Sequence, residues 1–249
     1  MADPQGRFAV VIPVYNHEGM VRAVVEKALA LSLPVFVVDD GATDASYERI
    51  RGIPDIRILR HPENRGKGAA LLTGFAEAAK IADWAVALDA DGQHDPAEAL
   101  EMIRAIPPGA RPMVIGKRRD MDGAEVPWTS RFGRGFSNFW VRMSGGPRLS
   151  DTQSGFRIYP LPETLRLDVR ARRYQFEVEV LAKANWAGIP VREVEIGVDY
   201  RPGSQRISHF HPFVDFMRNT RVFARLIVQR LFIPPSVRAR WAMPPKAGS

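Results

Sequence analysis

The sequence predicts an α/β protein with a mostly parallel central sheet flanked by helices, followed by a C-terminal amphipathic helix. Three observations predict it: short apolar runs alternate with longer helical patterns from Phe8 onward, each run closes on polar or turn residues, and the last fifth of the chain turns basic. Phe8 to Pro13 reads as the first strand, with a helix near 18 to 31 behind it. Val35 to Val38 is the second, followed by a helix near 43 to 51; Ile56 to Leu59 is the third, followed by a helix near 66 to 81. Trp84 to Leu88 runs straight into Asp89. Further strands fall at 112–116, 155–159 and 191–196, with helices over 130–143 and 175–186. A catalytic domain over residues 1–210 and a basic helix with its tail over 211–249 is the expected division.

Composition narrows the chemistry. At 249 residues, with 45% hydrophobic and 25% charged residues, the chain can bury a real core. It has no cysteine, which excludes disulfides, a thiolate nucleophile and Cys-based metal sites. Neither a signal-peptide pattern nor a run of about 18 apolar residues occurs, so a cytoplasmic location without a spanning segment is expected. The net charge of +7 is concentrated late: residues 201–249 carry nine Lys/Arg against the single acid Asp215. Such a tail fits an anionic membrane surface, nucleic acid or an acidic substrate.

In open α/β sheets ligands bind beyond the carboxyl ends of the strands, so Tyr15, Asp39, Asp40, Asn64, Asp89 and Asp91 are expected on one rim. Asp89-Ala90-Asp91-Gly92-Gln93 is the most specific feature. Two carboxylates at a strand end repel unless a cation lies between them, and Mg²⁺ or Mn²⁺ shared with substrate phosphates needs only a few protein oxygens. Asp95 before Pro96 reads instead as a helix cap. Asp39-Asp40-Gly41 is a second acidic strand end, able to accept from a base N–H or from ribose hydroxyls. Asn64-Arg65-Gly66-Lys67-Gly68 opens a helix where a phosphate could dock on Lys67; the same segment also reads as a glycine turn with a solvated lysine. Asp151 is either a loop acid or, for a hydroxyl acceptor, a general base.

Together with Val11-Ile12-Pro13-Val14-Tyr15-Asn16-His17-Glu18, Asp151-Thr152-Gln153-Ser154-Gly155-Phe156-Arg157 and Arg201-Pro202-Gly203-Ser204, these segments resemble the family 2 glycosyltransferases, and within them the dolichol-phosphate and polyprenyl-phosphate sugar transferases. The motifs occur in family order across residues 8–210. The resemblance implies the GT-A fold, a Rossmann-like arrangement, and an inverting transfer of a hexose from a GDP- or UDP-linked donor to a polyprenyl phosphate. It implies that Pro13, Tyr15, Glu18 and Asp39 hold the nucleoside with Asp40 close by, and that Asp89, Asp91 and Gln93 meet Mg²⁺ or Mn²⁺ and the diphosphate. Lys67, Arg201 and Ser204 are expected on the donor. Arg118 and Arg131 are expected on the acceptor phosphate, so that Asp91, Arg118, Arg131 and Asp151 form the catalytic set. Transfer to a hydroxyl of a glycan or other lipid is the alternative within this class.

Pro212 to Ile233 reads as a helix with Phe213, Phe216, Met217, Phe223, Ile227 and Leu231 near one face and Arg218, Arg221 and Arg225 in a stripe. Each such arginine is worth about 1 kcal/mol near an anionic leaflet, so peripheral attachment is expected; packing of the apolar face on the domain is the alternative. Arg206 and His209 extend the basic loop ahead of it. Two other functions compete. A nucleotidyltransferase should carry a glycine-rich, arginine-bearing loop after the first strand, where this chain has Pro13-Val14-Tyr15-Asn16. A basic nucleic-acid module would leave both acidic strand ends without a purpose, so no nucleic-acid partner is expected.

Overall fold

The strands form where the apolar runs fall, and the computed structural model describes residues 6–119, 128–197 and 212–240, with the helical backbone alone over 128–134 and 212–219. Seven strands make one sheet: β1 (Phe8–Val14), β2 (Val35–Asp39), β3 (Ile56–Arg60), β4 (Trp84–Ala87), β5 (Met113–Arg118), β6 (Arg157–Pro160) and β7 (Val191–Ile196). Their order is β3-β2-β1-β4-β6-β5-β7, and all pairings are parallel except those of β6 with β4 and β5. The helices are α1 (Val21–Leu29), α2 (Ser46–Ile50), α3 (Lys67–Ala78), α4 (Ala99–Arg104), α5 (Trp128–Met143), α6 (Leu161–Leu165), α7 (Phe176–Trp186), α8 (Pro212–Phe232) and α9 (Pro235–Ala239).

The central strands are buried on both faces, as a parallel sheet covered by helices requires. Alternation along β1 divides the core in two. Phe8, Val10, Ile12 and Val14 face a cluster with α1, α2 and α4, while Ala9 and Val11 face one with α3, α5 and α7. On that second face Phe75, Tyr159 and Phe176 pack with ring centroids 4.8 to 6.4 Å apart. At Gly74 a Cβ would lie 2.4 Å from Val11 Cγ1, so α3 rests directly on the sheet.

The reversal of β6 has a geometric cause. A helix of 16 residues spans about 24 Å, so α5 carries the chain from the end of β5 to the opposite side of the sheet, and residues 144–156 return it. Arg157 then enters beside Ala87, at the rim where the parallel strands end. The return segment therefore lies over the acidic end of β4.

The apolar side chains of α8 divide between two environments. Phe223 and Leu226 are buried, with Phe223 stacked on Trp140 at 5.9 Å and Leu226 against Trp186. Leu231 points away from the core and is 73% exposed. The arginine stripe divides as well: Arg221 is exposed, whereas Arg225 turns inward to Glu179, 2.5 Å away. Phe213, Phe216, Met217 and Arg218 have side chains outside the described residues. Among the described residues no helix is long and apolar enough to cross a membrane.

Candidate active site

Parallel register brings the strand ends together: Val14 pairs with Asp39 in β2, and Val11 pairs with Ala87, two residues before Asp89. The loops after β1 and β2 are knitted by side chains. Asn16, in the left-handed region at φ 55°, accepts from the Thr43 amide at 2.8 Å. Glu18 accepts from the Ala45 amide at 2.9 Å, and Asp44 accepts from the amides of Glu18 and Ser46. Tyr15 and the buried Pro13 lie at the base of this paired loop.

Asp39 and Asp40 have different surroundings. Asp39 Oδ1 accepts from the Ala42 amide at 2.8 Å. Its buried Oδ2 lies 2.9 Å from Arg60 Nε as an ion pair, without a hydrogen-bond donor in line with it. Asp40 is fully engaged: Oδ1 accepts from His61 Nδ1 at 2.6 Å and the Arg65 amide at 3.0 Å, and Oδ2 from the Gly66 amide at 2.7 Å. It fixes the loop that starts α3, where Gly66 has φ 97° and a Cβ would lie 2.5 Å from the Arg172 carbonyl oxygen.

That loop delivers Lys67 to the end of β4. Its ammonium lies 2.6 Å from Asp89 and 2.5 Å from Glu177 on α7. Burial opposes the lysine charge, but the two carboxylates outweigh it and hold Lys67 protonated far beyond the ordinary lysine range. Lys67 is thus an internal counter-ion for Asp89 rather than a solvated side chain. Burial likewise opposes ionisation of Asp89, and the Lys67 charge reverses the balance to lower its pKa. The return segment crosses immediately above: a Cβ on Gly155 would lie 2.1 Å from Asp89 Oδ2 and 2.6 Å from Lys67 Nζ, so a side chain there would have to push this ion pair aside. Replacing Lys67 with Met is expected to destabilise the protein by about 2–4 kcal/mol, because two partly buried carboxylates lose their cation. Adding Glu177→Gln should restore part of the loss in urea denaturation.

Among the described residues Asp91 has no ion pair of this kind. Burial and the neighbouring Asp89 both push its pKa up, while the Gln93 amide donates to Oδ1 at 3.0 Å and works the other way. Gly92, at φ 73°, turns the backbone so that Gln93 follows on the same loop. Among the described residues no group of three His, Cys, Asp or Glu side chains forms a metal site. The fit to a divalent ion therefore rests on the expected ligands Asp89, Asp91 and the amide oxygen of Gln93, with the strained charge of Asp91 beside Asp89 in its favour. His94 is buried; desolvation lowers its pKa, and its ring packs 5.5 Å from Phe156. Asp95 caps the single 3₁₀ turn at Pro96–Glu98 by accepting from the Ala97 amide.

Arg118, at the end of β5, and Asp151 form one unit. Arg118 Nε and Nη2 donate to the two carboxylate oxygens at 2.7 and 3.0 Å. Burial would raise the Asp151 pKa, but the guanidinium hydrogen bonds outweigh it and hold the carboxyl below its usual range. Glu193 on β7 accepts from the amides of Ser150 and Asp151 and fixes the loop behind them. The side chains of Arg131, Arg201 and Ser204, with Arg206 and His209, lie outside the described residues.

Sequence reasoning did not single out Glu177, which carries half of the Lys67 counter-charge. In the sequence it is one more acid in the first turn of a helix. Arg157 stands in the sequence only as the last residue of a motif, yet it is completely buried and donates to the carbonyl oxygens of Thr152, Ser154 and Glu177 at 2.7 to 2.9 Å. It ties the return segment to α7.

The family model for glycosyl transferase family 2 matches residues 9–162. The chain is 27% identical over 244 residues to a UDP-N-acetylglucosamine–dolichyl-phosphate N-acetylglucosaminyltransferase of Methanococcus voltae, covering 89% of this chain and 95% of that protein. It is 28% identical over 228 residues to the polyprenol monophosphomannose synthase of Mycolicibacterium smegmatis, covering 81% and 83%. Its fold matches glucosyl-3-phosphoglycerate synthase from Mycobacterium tuberculosis, whose crystal structure contains Mn²⁺, UDP and phosphoglyceric acid, with a TM-score of 0.65 over 92% of this chain and 80% of that one at 19% identity. The sheet with its reversed β6 is thus a GT-A fold, and the chain belongs to glycosyl transferase family 2 and is a glycosyltransferase.

Proposed function

We propose that the protein transfers a hexosyl group from a GDP- or UDP-linked sugar to the phosphate of a polyprenyl phosphate, with inversion, at the cytoplasmic surface of a membrane and with Mg²⁺ or Mn²⁺. The observation that carries the acceptor half is the Arg118–Asp151 pair. A hydroxyl acceptor needs a base, and Asp151, the carboxylate placed for that role, has both oxygens engaged by Arg118 and its proton affinity lowered. A phosphate monoester arrives already ionised and needs positioning rather than deprotonation. Relatives named for dolichyl-phosphate and polyprenol substrates support the same reading.

In this reading an oxygen of the acceptor phosphate attacks the anomeric carbon as the bond to the diphosphate breaks, and the nucleoside diphosphate leaves with that electron pair. A bound divalent ion supplies Lewis acidity to the departing phosphate. Asp89, Asp91 and Gln93 hold that ion, and Lys67 with Glu177 fixes the Asp89 carboxylate. Asp39, beneath the loops that carry Tyr15 and Glu18, accepts from the base or ribose. Asp40 acts at one remove, by shaping the Lys67 loop. Arg118 faces the acceptor phosphate with Asp151 orienting its guanidinium, and Arg131, Arg201 and Ser204 are assigned the roles the resemblance gives them.

The rate should follow the acceptor's own ionisation. A phosphate monoester loses its second proton near pH 6, so log kcat/KM is expected to climb with unit slope below about pH 6 and to be flat above it. An added limb near the ordinary carboxylate range would point to a protein base. For the donor half, calorimetric titration with UDP and GDP, with and without Mn²⁺, is the test. One nucleotide should bind at least tenfold more tightly with the ion, and absence of binding by both would overturn the reading.

A further inference from the structure

On the helical side of the domain, unpaired positive charge and exposed apolar side chains coincide. A cleft of about 570 Å³ opens where the C-terminal ends of α5 and α7 meet the joint between α8 and α9, with Arg142, Arg148, Arg230 and Arg238 in its walls. None of these four guanidinium groups meets a carboxylate among the described residues. Arg230 donates to the Met143 carbonyl at 2.8 Å, and Arg238 lies 5.4 Å from the centre of the Trp186 ring with its Nε buried and lacking an acceptor. Gly145, at φ 76°, leaves the floor open: a Cβ there would come within 2.7 Å of Trp186 Nε1 and 2.9 Å of Arg230 Cδ.

Met143 stands in the cleft wall, and further exposed apolar side chains lie close along the chain to its arginines. Phe139 and Met143 lie one turn apart on α5 and are exposed, and Val237 is exposed beside Arg238. Leu231 and Phe232, next to Arg230, are 73% and 79% exposed. The buried part of α8, through Phe223 and Leu226, already packs on the domain, so this last turn is a separate surface.

We infer that this corner docks on an anionic phospholipid bilayer, with Arg142, Arg148, Arg230 and Arg238 taking lipid phosphates and Phe139, Met143, Leu231 and Phe232 entering the interface. The inference rests on the lipid-acceptor reading above and names the surface that serves it. Arginine forks match phosphate oxygens, and an apolar rim beside them matches the acyl boundary that only a bilayer offers. Nucleic acid would satisfy the arginines and leave the rim in water. A second copy of the chain related by a two-fold axis would set the four arginines against their own kind. The surface is distinct from the rim: α7 separates Glu177 from Trp186 by about 14 Å.

Flotation of the full chain with vesicles of phosphatidylcholine alone, and of phosphatidylcholine mixed with phosphatidylglycerol, tests this. Binding is expected to the mixed vesicles and to fall with salt. Arg142→Gln with Arg148→Gln should weaken it roughly 25-fold, about fivefold per charge. Leu231→Ser with Phe232→Ser should weaken it at least about tenfold. All four positions are exposed, and neither double variant should change transfer to polyprenyl phosphate presented in detergent. Equal binding to both vesicle types, or unaltered binding by both variants, overturns the proposal. So does tighter binding of duplex DNA lost in the arginine variant, or self-association lost in the Leu231/Phe232 variant. If the unaltered protein transfers no sugar to the acceptor in detergent, the functional reading fails, while the vesicle result still decides the docking surface.

Discussion

Asp91→Asn is expected to lower sugar transfer at least about a thousandfold while leaving the protein folded and no less stable. The two effects have one cause. Asp91 is held at the end of β4 against both burial and the charge of Asp89, and nothing among the described groups offsets it as Lys67 offsets Asp89. In the proposed mechanism that excess negative charge is what holds the divalent ion on the leaving diphosphate, a contribution of several kcal/mol to the transition state, of which about 4 kcal/mol is a factor of a thousand. The Asn side chain keeps an oxygen for the Gln93 amide and removes the repulsion. Thermal denaturation in EDTA should therefore show a melting temperature equal to or above that of the unaltered protein. The rise that Mn²⁺ with nucleoside diphosphate produces in the unaltered protein should be lost. Asp95→Asn is the matched control, because Asp95 only caps the 3₁₀ turn and Asn caps as well.

Arg157→Leu is expected to cost about 4–5 kcal/mol of stability, at the upper end of single substitutions. A fully buried guanidinium ties three backbone carbonyl oxygens, two in the return segment and one on α7. Leucine fills part of the volume and takes this donor from the Thr152 and Ser154 carbonyls, each at about 1–3 kcal/mol less whatever water can recover, while the Glu177 carbonyl keeps its helical partner. For a chain of this size the melting temperature should fall by roughly 8–20 °C. Residues 151–156 lose their tether to Glu177 and with it their alignment over Asp89, so transfer should drop even at temperatures where the variant is folded. Arg157→Lys, which keeps the charge but cannot reach all three carbonyls, should fall between. Guanidinium denaturation with transfer assayed at 20 °C below the midpoint separates the two effects.

Much of the architecture was legible because parallel strands covered on both faces must be apolar runs, and because such strands deliver their following residues to one rim. That logic places Asp39, Asp89 and Asp91 together without any knowledge of contacts. The capping of the 3₁₀ turn by Asp95 was equally local, set by an acid one residue before a proline. The direction of β6 was not legible, since an apolar run carries no sign, and it depends on the length of α5 and of the segment behind it. The pairing of Lys67 with Glu177 spans 110 residues and leaves no periodic trace. Arg118 and Asp151 were both marked as candidates, but that they hold each other is a property of β5 and the return segment meeting in space. The same holds for Arg225, which reads as one of a solvent-facing stripe and folds inward because Glu179 is buried beneath it. The short helices α4, α6 and α9, of five or six residues, are too brief to show a helical period.

The most direct test of the central claim is a single transfer assay with labelled UDP- and GDP-hexoses and polyprenyl phosphate in detergent, run with Mn²⁺ and again with EDTA. The account predicts a labelled polyprenyl phosphate sugar formed one for one with nucleoside diphosphate release, dependent on the ion and abolished in Asp91→Asn. Transfer that persists undiminished in EDTA, or that proceeds to a free polyprenol and not to its phosphate, would contradict it.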